Sequence, residues 1–241
     1  MSYDEMMIAT EFEFKNRFWL IGVVFAVSFQ LFAIDHVPFA RWLAELALGP
    51  ISPYHQLATR AVLTLGTLLT LLAAILRTWA AAYLDSDVVH DRALHSDVLV
   101  ADGPYRHLRN PLYLGTMLIA AGLGLTASRL GFVLLVGAMT AFTLRLIGRE
   151  ELLLEHARGN SYSEYRRRVP SMIPSIAARL PAGGATARWG QAFVGELFAW
   201  SFFAGMALYT CTLRQRALWT PVVIGLLIAA ARPVWRGEAA R

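Results

Sequence analysis

A short polar segment between two long apolar runs carries many of the side chains that could do chemistry. Residues 97–115 read DVLVADGPYRHLRNPLYLG, and the second half of this segment is rich in tyrosine, arginine, histidine and asparagine. An arginine followed by two adjacent carboxylates, Arg149, Glu150 and Glu151, comes further along the chain. Arginines and carboxylates form strong charge-assisted hydrogen bonds, and tyrosine rings attract cations. The two segments together indicate a binding or catalytic site.

Turn signals and the neighbouring apolar runs predict how this segment is held. Gly103-Pro104 and Asn110-Pro111 are strong turn signals, because proline fixes its own φ and moves the preceding residue out of the helical region. Pro111 is suited to the first position of a helix, where a missing N–H costs nothing. The segment is therefore predicted to be a loop that ends where a helix begins.

The composition is typical of an integral membrane protein. The chain has 241 residues, of which 56% are hydrophobic and only 16% charged, and its mean hydropathy is +0.47. The net charge of +5 is almost all arginine, since Lys15 is the only lysine. These arginines flank apolar runs, which favours membrane topology over nucleic-acid binding. The only cysteine, Cys211, excludes disulfides and cysteine-ligated metal sites within one chain.

The apolar runs predict an all-α fold, a polytopic bundle of about six transmembrane helices. The six uncharged or nearly uncharged runs are 18–34, 61–84, 112–128, 130–147, 193–213 and 217–231. Arg77 interrupts the second run and is expected to extend to the lipid headgroups. The acidic start of the chain does not fit a cleaved signal peptide.

Small residues predict tight packing of the third and fourth helices. Ala120 and Gly124 on one helix, and Gly137 and Ala141 on the other, have the four-residue spacing that lets helices approach closely in lipid. This hairpin would bring residues 97–115 and Arg149-Glu150-Glu151 to the same side of the membrane. The segments on that side hold roughly three times as many Lys and Arg residues as those on the other, so the site is predicted to face the cytoplasm.

The same reading divides the chain into three parts. Residues 1–84 form an N-terminal region with two spans. Residues 85–175 form the core, which contains the loop of residues 97–115 (the motif loop), the hairpin and a cytosolic helix. Residues 176–241 form a linker and a final helix pair. The proline, glycine and alanine residues in 174–187 indicate the linker. The histidines and aspartates of 90–97 match no zinc or di-iron spacing, so no metal is predicted.

Several spaced motifs resemble the isoprenylcysteine carboxyl methyltransferase and phospholipid methyltransferase family. The matching elements, within residues 85–175, are Gly103-Pro104-Tyr105, Arg109-Asn110-Pro111-Leu112-Tyr113-Leu114-Gly115, Glu150-Glu151, Gly159 with Tyr162 and Tyr165, and Val169-Pro170. The resemblance implies a membrane-bound methyltransferase that uses S-adenosylmethionine. Its substrate would be a lipidic or small hydrophobic acceptor that arrives through the bilayer, with no nucleic acid or metal involved.

The resemblance also implies the residues of the site. The implied cofactor-binding residues are His90, Asp97, Val98, Leu99, Val100, Tyr105, Arg109, Asn110, Pro111, Leu112, Tyr113, Glu150 and Glu151. The implied catalytic residues are Arg149, Arg145 and Asn110, and the choice of arginine for the substrate stays open. Members of the family often carry histidine where this chain has Asn110, which can form hydrogen bonds but cannot act as a base.

Other interpretations of the same residues stay open. Glu150 and Glu151 could be a solvated helix start, and Tyr162 and Tyr165 could anchor a helix at the membrane surface. The run Arg166–Arg168 is expected to contact anionic headgroups. Two other functions remain as well: an NADPH-dependent reductase of the sterol type, and a membrane protein without enzymatic activity.

Overall fold

In the part of the chain that the structure describes, every regular secondary-structure element is a helix. The computed structural model describes residues 8–49, 51–84 and 101–235. In chain order the α-helices are α1 (Glu11–Lys15), α2 (Arg17–Gln30), α3 (Phe39–Leu48), α4 (His55–Ala82), α5 (Pro111–Gly124), α6 (Arg129–Arg158), α7 (Asn160–Arg168), α8 (Trp189–Gly195), α9 (Leu197–Thr212) and α10 (Gln215–Trp235). Within those ranges the only extended pairing is one isolated bridge between Pro38 and Ser128. The all-helical prediction is confirmed for this part of the chain.

Fewer helices than predicted are long enough to cross a membrane. Only α4 and α6 meet the requirements of length and apolar composition within the described ranges. Helices α8 and α9 meet them only as a pair, and the pair is bent by 61° at its junction. The apolar helices Arg17–Ala33 and Pro111–Gly124, and the apolar part of α10, Gln215–Ile228, are shorter. The structure therefore supports two spans, or three with the bent pair, and the expected six are not confirmed.

Early helix ends explain this difference. Helix α5 has 14 residues, about 21 Å at 1.5 Å per residue, whereas a bilayer core is roughly 30 Å thick. Apolar composition predicted the helical segments, but it did not reveal that the chain leaves the helix at Gly124 or bends beside Glu196.

Small residues pack α4 closely against α5. The predicted close packing of α5 against α6 does not extend along the whole length of those two helices. A Cβ atom added to Gly66 would lie 2.8 Å from the carbonyl oxygen of Gly122, and one added to Gly122 would lie 2.7 Å from that of Gly66. In contrast, a Cβ at Gly137 would meet nothing within 4 Å. The predicted interface role of Gly137 is wrong, because four-residue spacing does not say which face of a helix meets its neighbour.

Arg77 is a buried structural residue, so the prediction that it extends to the headgroups is wrong. Its Nε and Nη2 donate to the two carboxylate oxygens of Glu196 at 2.7 and 3.1 Å, and Nη1 donates to the carbonyl of Leu112 and to Thr116. The Arg77 and Glu196 side chains are 11% and 3% exposed. This pair ties α4, the start of α5 and the α8/α9 junction together, at what we call the site end of the bundle.

Helix α6 continues well beyond the predicted end of its apolar run. Ser128 caps its first turn by accepting a hydrogen bond from the Gly131 N–H at 3.1 Å, and the helix ends only at Arg158. Glu150 and Glu151 therefore lie within the helix, and both are buried. The interpretation of this pair as a solvated helix start is wrong.

Residues 169–188, which include the predicted linker, form a docked segment that we call the strap. The strap runs antiparallel to residues 102–109. Its backbone contacts are Arg109 N to Pro170 O at 2.9 Å, Ser175 N to His107 O at 3.0 Å, Arg179 N to Arg106 O at 2.8 Å, and Arg188 N to Ala82 O at 2.7 Å. Both carboxylate oxygens of Asp102 accept strap N–H groups, from Gly183 at 2.7 Å and Ala185 at 2.8 Å. The strap thus covers residues 102–109.

Candidate functional site

A charged cluster around Glu151 joins the motif loop to α6 and α7. Glu151 Oε1 lies 3.0 Å from Nη2 of Arg109, and Oε2 lies 3.6 Å from Nε of Arg166. The side chains of Arg109 and Glu151 are only 9% and 12% exposed. Arg109 Nη1 also donates to the carbonyl of Arg166 at 2.7 Å. Glu151 is therefore neutralised by arginine in a largely buried setting, where losing one partner is costly.

Asn110 connects this cluster to the strap. Its Nδ2 donates to Ser171 Oγ at 3.1 Å and to the Ser171 carbonyl at 3.3 Å, with a longer contact of 3.4 Å to Glu151 Oε1. Asn110 directly precedes Pro111, the first residue of α5. Sequence reasoning did not include Ser171 or Arg166 in the site. The nearest signal for Ser171 was its position directly after the Val169-Pro170 motif.

Tyr162 and Tyr165 form an apolar core beneath the cluster. They pack with Val169, and Leu180 of the strap lies against them. The Tyr165 hydroxyl donates to the carbonyl of Tyr105 at 2.9 Å. Burial raises the pKa of both phenols, and the nearby Glu151 carboxylate raises the pKa of Tyr162 further. Since both rings are buried, the alternative that they anchor a helix at the membrane surface is wrong.

Glu150 lies on a different face of α6 from Glu151. Successive residues of an α-helix are about 100° apart, so Glu150 lies between the directions of Arg149 and Glu151. Its residue exposure is 7%. Glu151 is committed to Arg109, Arg166 and Asn110, whereas Glu150 places a second carboxylate at a separate buried position.

Arg145 and Arg149 lie on a face of α6 that meets the N-terminal segment. Arg145 Nη2 binds Glu13 Oε2 at 2.7 Å, and the Arg145 carbonyl accepts the N–H of Ala9 at 3.0 Å. The pKa of Glu11 is lowered, mainly by Lys15 and to a smaller degree by Arg149. Arg149 Nε is buried and has no hydrogen-bond partner among the described residues. The structure shows no direct hydrogen bond between either arginine and Asn110, so it does not join the three predicted catalytic residues directly.

The remaining predicted residues divide into two groups. Tyr105, Pro111 and Leu112 are buried, while Tyr113 is half-buried on the first turn of α5. Gly103, which precedes them, has a φ of +57°, a conformation that glycine adopts most readily. The predicted contacts His90, Asp97, Val98, Leu99 and Val100 lie outside the described residues.

Comparison with known proteins relates this arrangement to a family. The match covers the chain from the first turns of α4 to the start of α7. Residues 61–161 match the phospholipid methyltransferase family. The predicted resemblance is confirmed, but the matched region begins earlier than predicted, because it includes most of α4, and it ends before Tyr162, Tyr165 and Val169-Pro170. It contains the motif loop, the α5/α6 hairpin and both carboxylates.

Three individual relatives cover different shares of the chain. Protein-S-isoprenylcysteine O-methyltransferase of Schizosaccharomyces pombe is 37% identical over 95 residues, 38% of this chain and 39% of the yeast protein. The cobalt-zinc-cadmium resistance protein CzcN of Cupriavidus metallidurans is 29% identical over 158 residues, 66% of this chain and 62% of the relative. The nickel-cobalt-cadmium resistance protein NccN of Alcaligenes xylosoxydans xylosoxydans is 25% identical over 166 residues, which are 68% of this chain and 74% of the relative. No solved structure matches the chain.

These matches show similarity to the phospholipid methyltransferase family over residues 61–161, and the apolar helices fit a membrane protein. The chain spans less than two thirds of the first two relatives. Within the described ranges, no three histidine, cysteine, aspartate or glutamate side chains are grouped so that they could hold a metal ion.

Proposed function

We propose that the protein is an integral membrane methyltransferase that transfers a methyl group from S-adenosylmethionine to a lipidic or small hydrophobic acceptor. The observation that carries this proposal is the position of Glu150. This buried carboxylate lies in the segment that matches the phospholipid methyltransferases, one residue before the cluster that joins the loop, α6 and α7. A ligand held at Glu150 would lie close to the motif segments.

The residues present fit the chemistry of this cofactor. S-adenosylmethionine supplies an electrophilic methyl group on a cationic sulfur, and it also carries an ammonium group, a carboxylate and ribose hydroxyls. Glu150 would bind the ammonium group or a hydroxyl, and the buried Nε of Arg149 is a donor suited to a carboxylate. Tyr113 offers an aromatic ring on the first turn of α5.

The Glu151 cluster has a supporting role in this proposal. Arg109 and Glu151 bind each other, and Asn110 binds Ser171. We therefore assign them to positioning the loop and α6 around the cofactor, with Asn110 at the point where the loop enters α5. This role does not need a base at Asn110, which agrees with the amide found there.

The position of the site end supports a lipidic acceptor. The site end lies at the termini of apolar helices, so a hydrophobic acceptor can approach from the bilayer and the polar cofactor from water. The arginine distribution supports a site that faces the cytoplasm. The division into residues 1–84, 85–175 and 176–241 is part of the same proposal.

Two relatives are named for metal resistance, but the family match favours methyl transfer, because it covers the site elements themselves. An NADPH-dependent reductase of the sterol type remains the alternative enzyme.

Calorimetric titration of the purified protein tests the choice between these two cofactors. We expect S-adenosylmethionine to bind with one site per chain and NADPH to give no heat of binding. Binding of NADPH without binding of S-adenosylmethionine would overturn the proposal in favour of the reductase.

A further inference from the structure

The strap carries two isoleucines that are exposed instead of packed. Ile173 is 82% exposed and Ile176 is 102% exposed. Two other large apolar residues of the strap behave differently: Val169 and Leu180 pack on the Tyr162/Tyr165 core. The strap thus has an inner apolar side that holds it on the protein and an outer apolar pair directed away from it.

Exposed arginines bracket this isoleucine pair along the chain. Arg167 precedes it and Arg179 follows it, and both are exposed. Neither side chain forms an ion pair with another described residue. The neighbouring Arg166 and Arg168 differ, since Arg166 binds Glu151 and Glu155 while Arg168 binds Glu164. Two guanidinium groups are therefore available for an anionic partner.

The anchoring points of the strap place it close to the boundary of the bilayer. Arg188 N donates to the carbonyl of Ala82, the last residue of α4, and Pro170 O accepts from Arg109 N, just before α5 begins. Helix α4 has 28 residues, about 42 Å, and exceeds the roughly 30 Å hydrocarbon core. If the excess length lies at the Ala82 end, that end and the strap would lie at the level of the headgroups.

We propose that the outer side of the strap binds the adjacent lipid leaflet, with Ile173 and Ile176 inserted at the headgroup boundary and Arg167 and Arg179 bound to anionic lipid headgroups. Aliphatic side chains flanked by arginines match acyl chains beneath a layer of phosphates. Such a contact would hold the strap, and with it the motif loop, at a fixed depth. This proposal is independent of methyl transfer.

Site-specific fluorescence can test the proposal in the intact protein. Cys211 is the only cysteine and is exposed, so a Cys211→Ser background allows one label at Ile176→Cys. The labelled protein would be placed in lipid nanodiscs with or without an anionic phospholipid. Ala182→Cys, another exposed strap position, is the matched control. Quenching is measured with iodide in water and with lipids that carry a nitroxide near the headgroup.

At position 176 we expect strong quenching by the nitroxide lipid and weak quenching by iodide, with the opposite order at position 182. Arg167→Gln with Arg179→Gln should reduce the nitroxide quenching severalfold in anionic nanodiscs. Two results would overturn the proposal. Full quenching of position 176 by iodide would place it in water, and protection from both quenchers would show that a protein surface, such as a second copy of the chain, covers it.

Discussion

Two adjacent carboxylates on α6 have different surroundings, and this difference assigns them different roles. Glu151 binds Arg109 and Arg166, whereas Glu150 is the carboxylate that we assign to the cofactor. The sequence motif places both in the site, but adjacent residues in a motif give no information about their partners. Helix geometry separates them by about 100°.

Glu150→Gln should weaken binding of S-adenosylmethionine about 10 to 150-fold, because a charge-assisted hydrogen bond is worth roughly 1.5 to 3 kcal/mol. Titration of the purified variant measures this change. Glu155→Gln on the same helix is the control. Because the Glu155 side chain is 42% exposed, this variant should bind the cofactor as tightly as the wild type does. If Glu150→Gln binds as tightly as the wild type, Glu150 is not a cofactor ligand.

Glu151→Gln should mainly reduce stability. Arg109, whose side chain is 9% exposed, would lose its carboxylate partner, and breaking a buried ion pair costs about 3 to 5 kcal/mol. The thermal midpoint in detergent should fall clearly for Glu151→Gln and little for Glu155→Gln. An unchanged midpoint for Glu151→Gln would show that the cluster does not hold the site together.

At the scale of the elements, the pair formed by Arg77 and Glu196 joins three segments at the site end. Arg77→Met would leave Glu196, 3% exposed, without its guanidinium partner and should cost about 3 to 5 kcal/mol. The double change Arg77→Met with Glu196→Leu should recover much of that loss, because no isolated charge remains. Thermal melts of both variants measure this. A double variant no more stable than the single one would contradict the account.

The strap depends on the charge of Asp102. Hydrogen bonds from the N–H groups of Ala185 and then Gly183 lower the pKa of this carboxyl below its ordinary value of 3.8. The contribution of Asp102 to docking is therefore fully present above the ordinary pKa and is lost as the pH falls through the lowered pKa. At pH 5 to 8 the carboxylate stays ionised, so docking in the wild type should not change with pH.

Asp102→Asn removes that charge at neutral pH and should weaken docking by about 1.5 to 3 kcal/mol. Trypsin cleavage after the exposed Arg179 should become faster in this variant. Glu164→Gln, which changes an exposed ion pair with Arg168, is the control and should be cleaved like the wild type. Equal cleavage rates for all three proteins would show that Asp102 does not hold the strap.

For the whole molecule, the sequence predicted the helical class, the membrane character and the family resemblance, because each depends on composition or on local motifs. It did not predict the strap, the burial of Arg77 or the partners of Glu151. Those features depend on contacts between distant residues, such as Asp102 with Gly183 or Arg77 with Glu196. Helix ends were also missed, since apolar composition continues past the point where the chain turns.

Orientation in the membrane is a prediction about the whole molecule. In a Cys211→Ser background, Ser161→Cys on α7 should react with a membrane-impermeant thiol reagent from the cytoplasmic side, and Ser52→Cys from the other side. The reason is the excess of Lys and Arg in the segments near the site. The reverse labelling pattern would contradict a site that faces the cytoplasm.

The central claim is methyl transfer to a hydrophobic acceptor, and the direct measurement is transfer of label from methyl-labelled S-adenosylmethionine. The full-length protein would be reconstituted with a membrane lipid extract, and the organic phase counted after extraction. The account predicts label in the organic phase with the wild type and with Glu155→Gln, and much less with Glu150→Gln. Folded wild-type protein that transfers no label to the organic phase, or equal transfer by the wild type and Glu150→Gln, would contradict it.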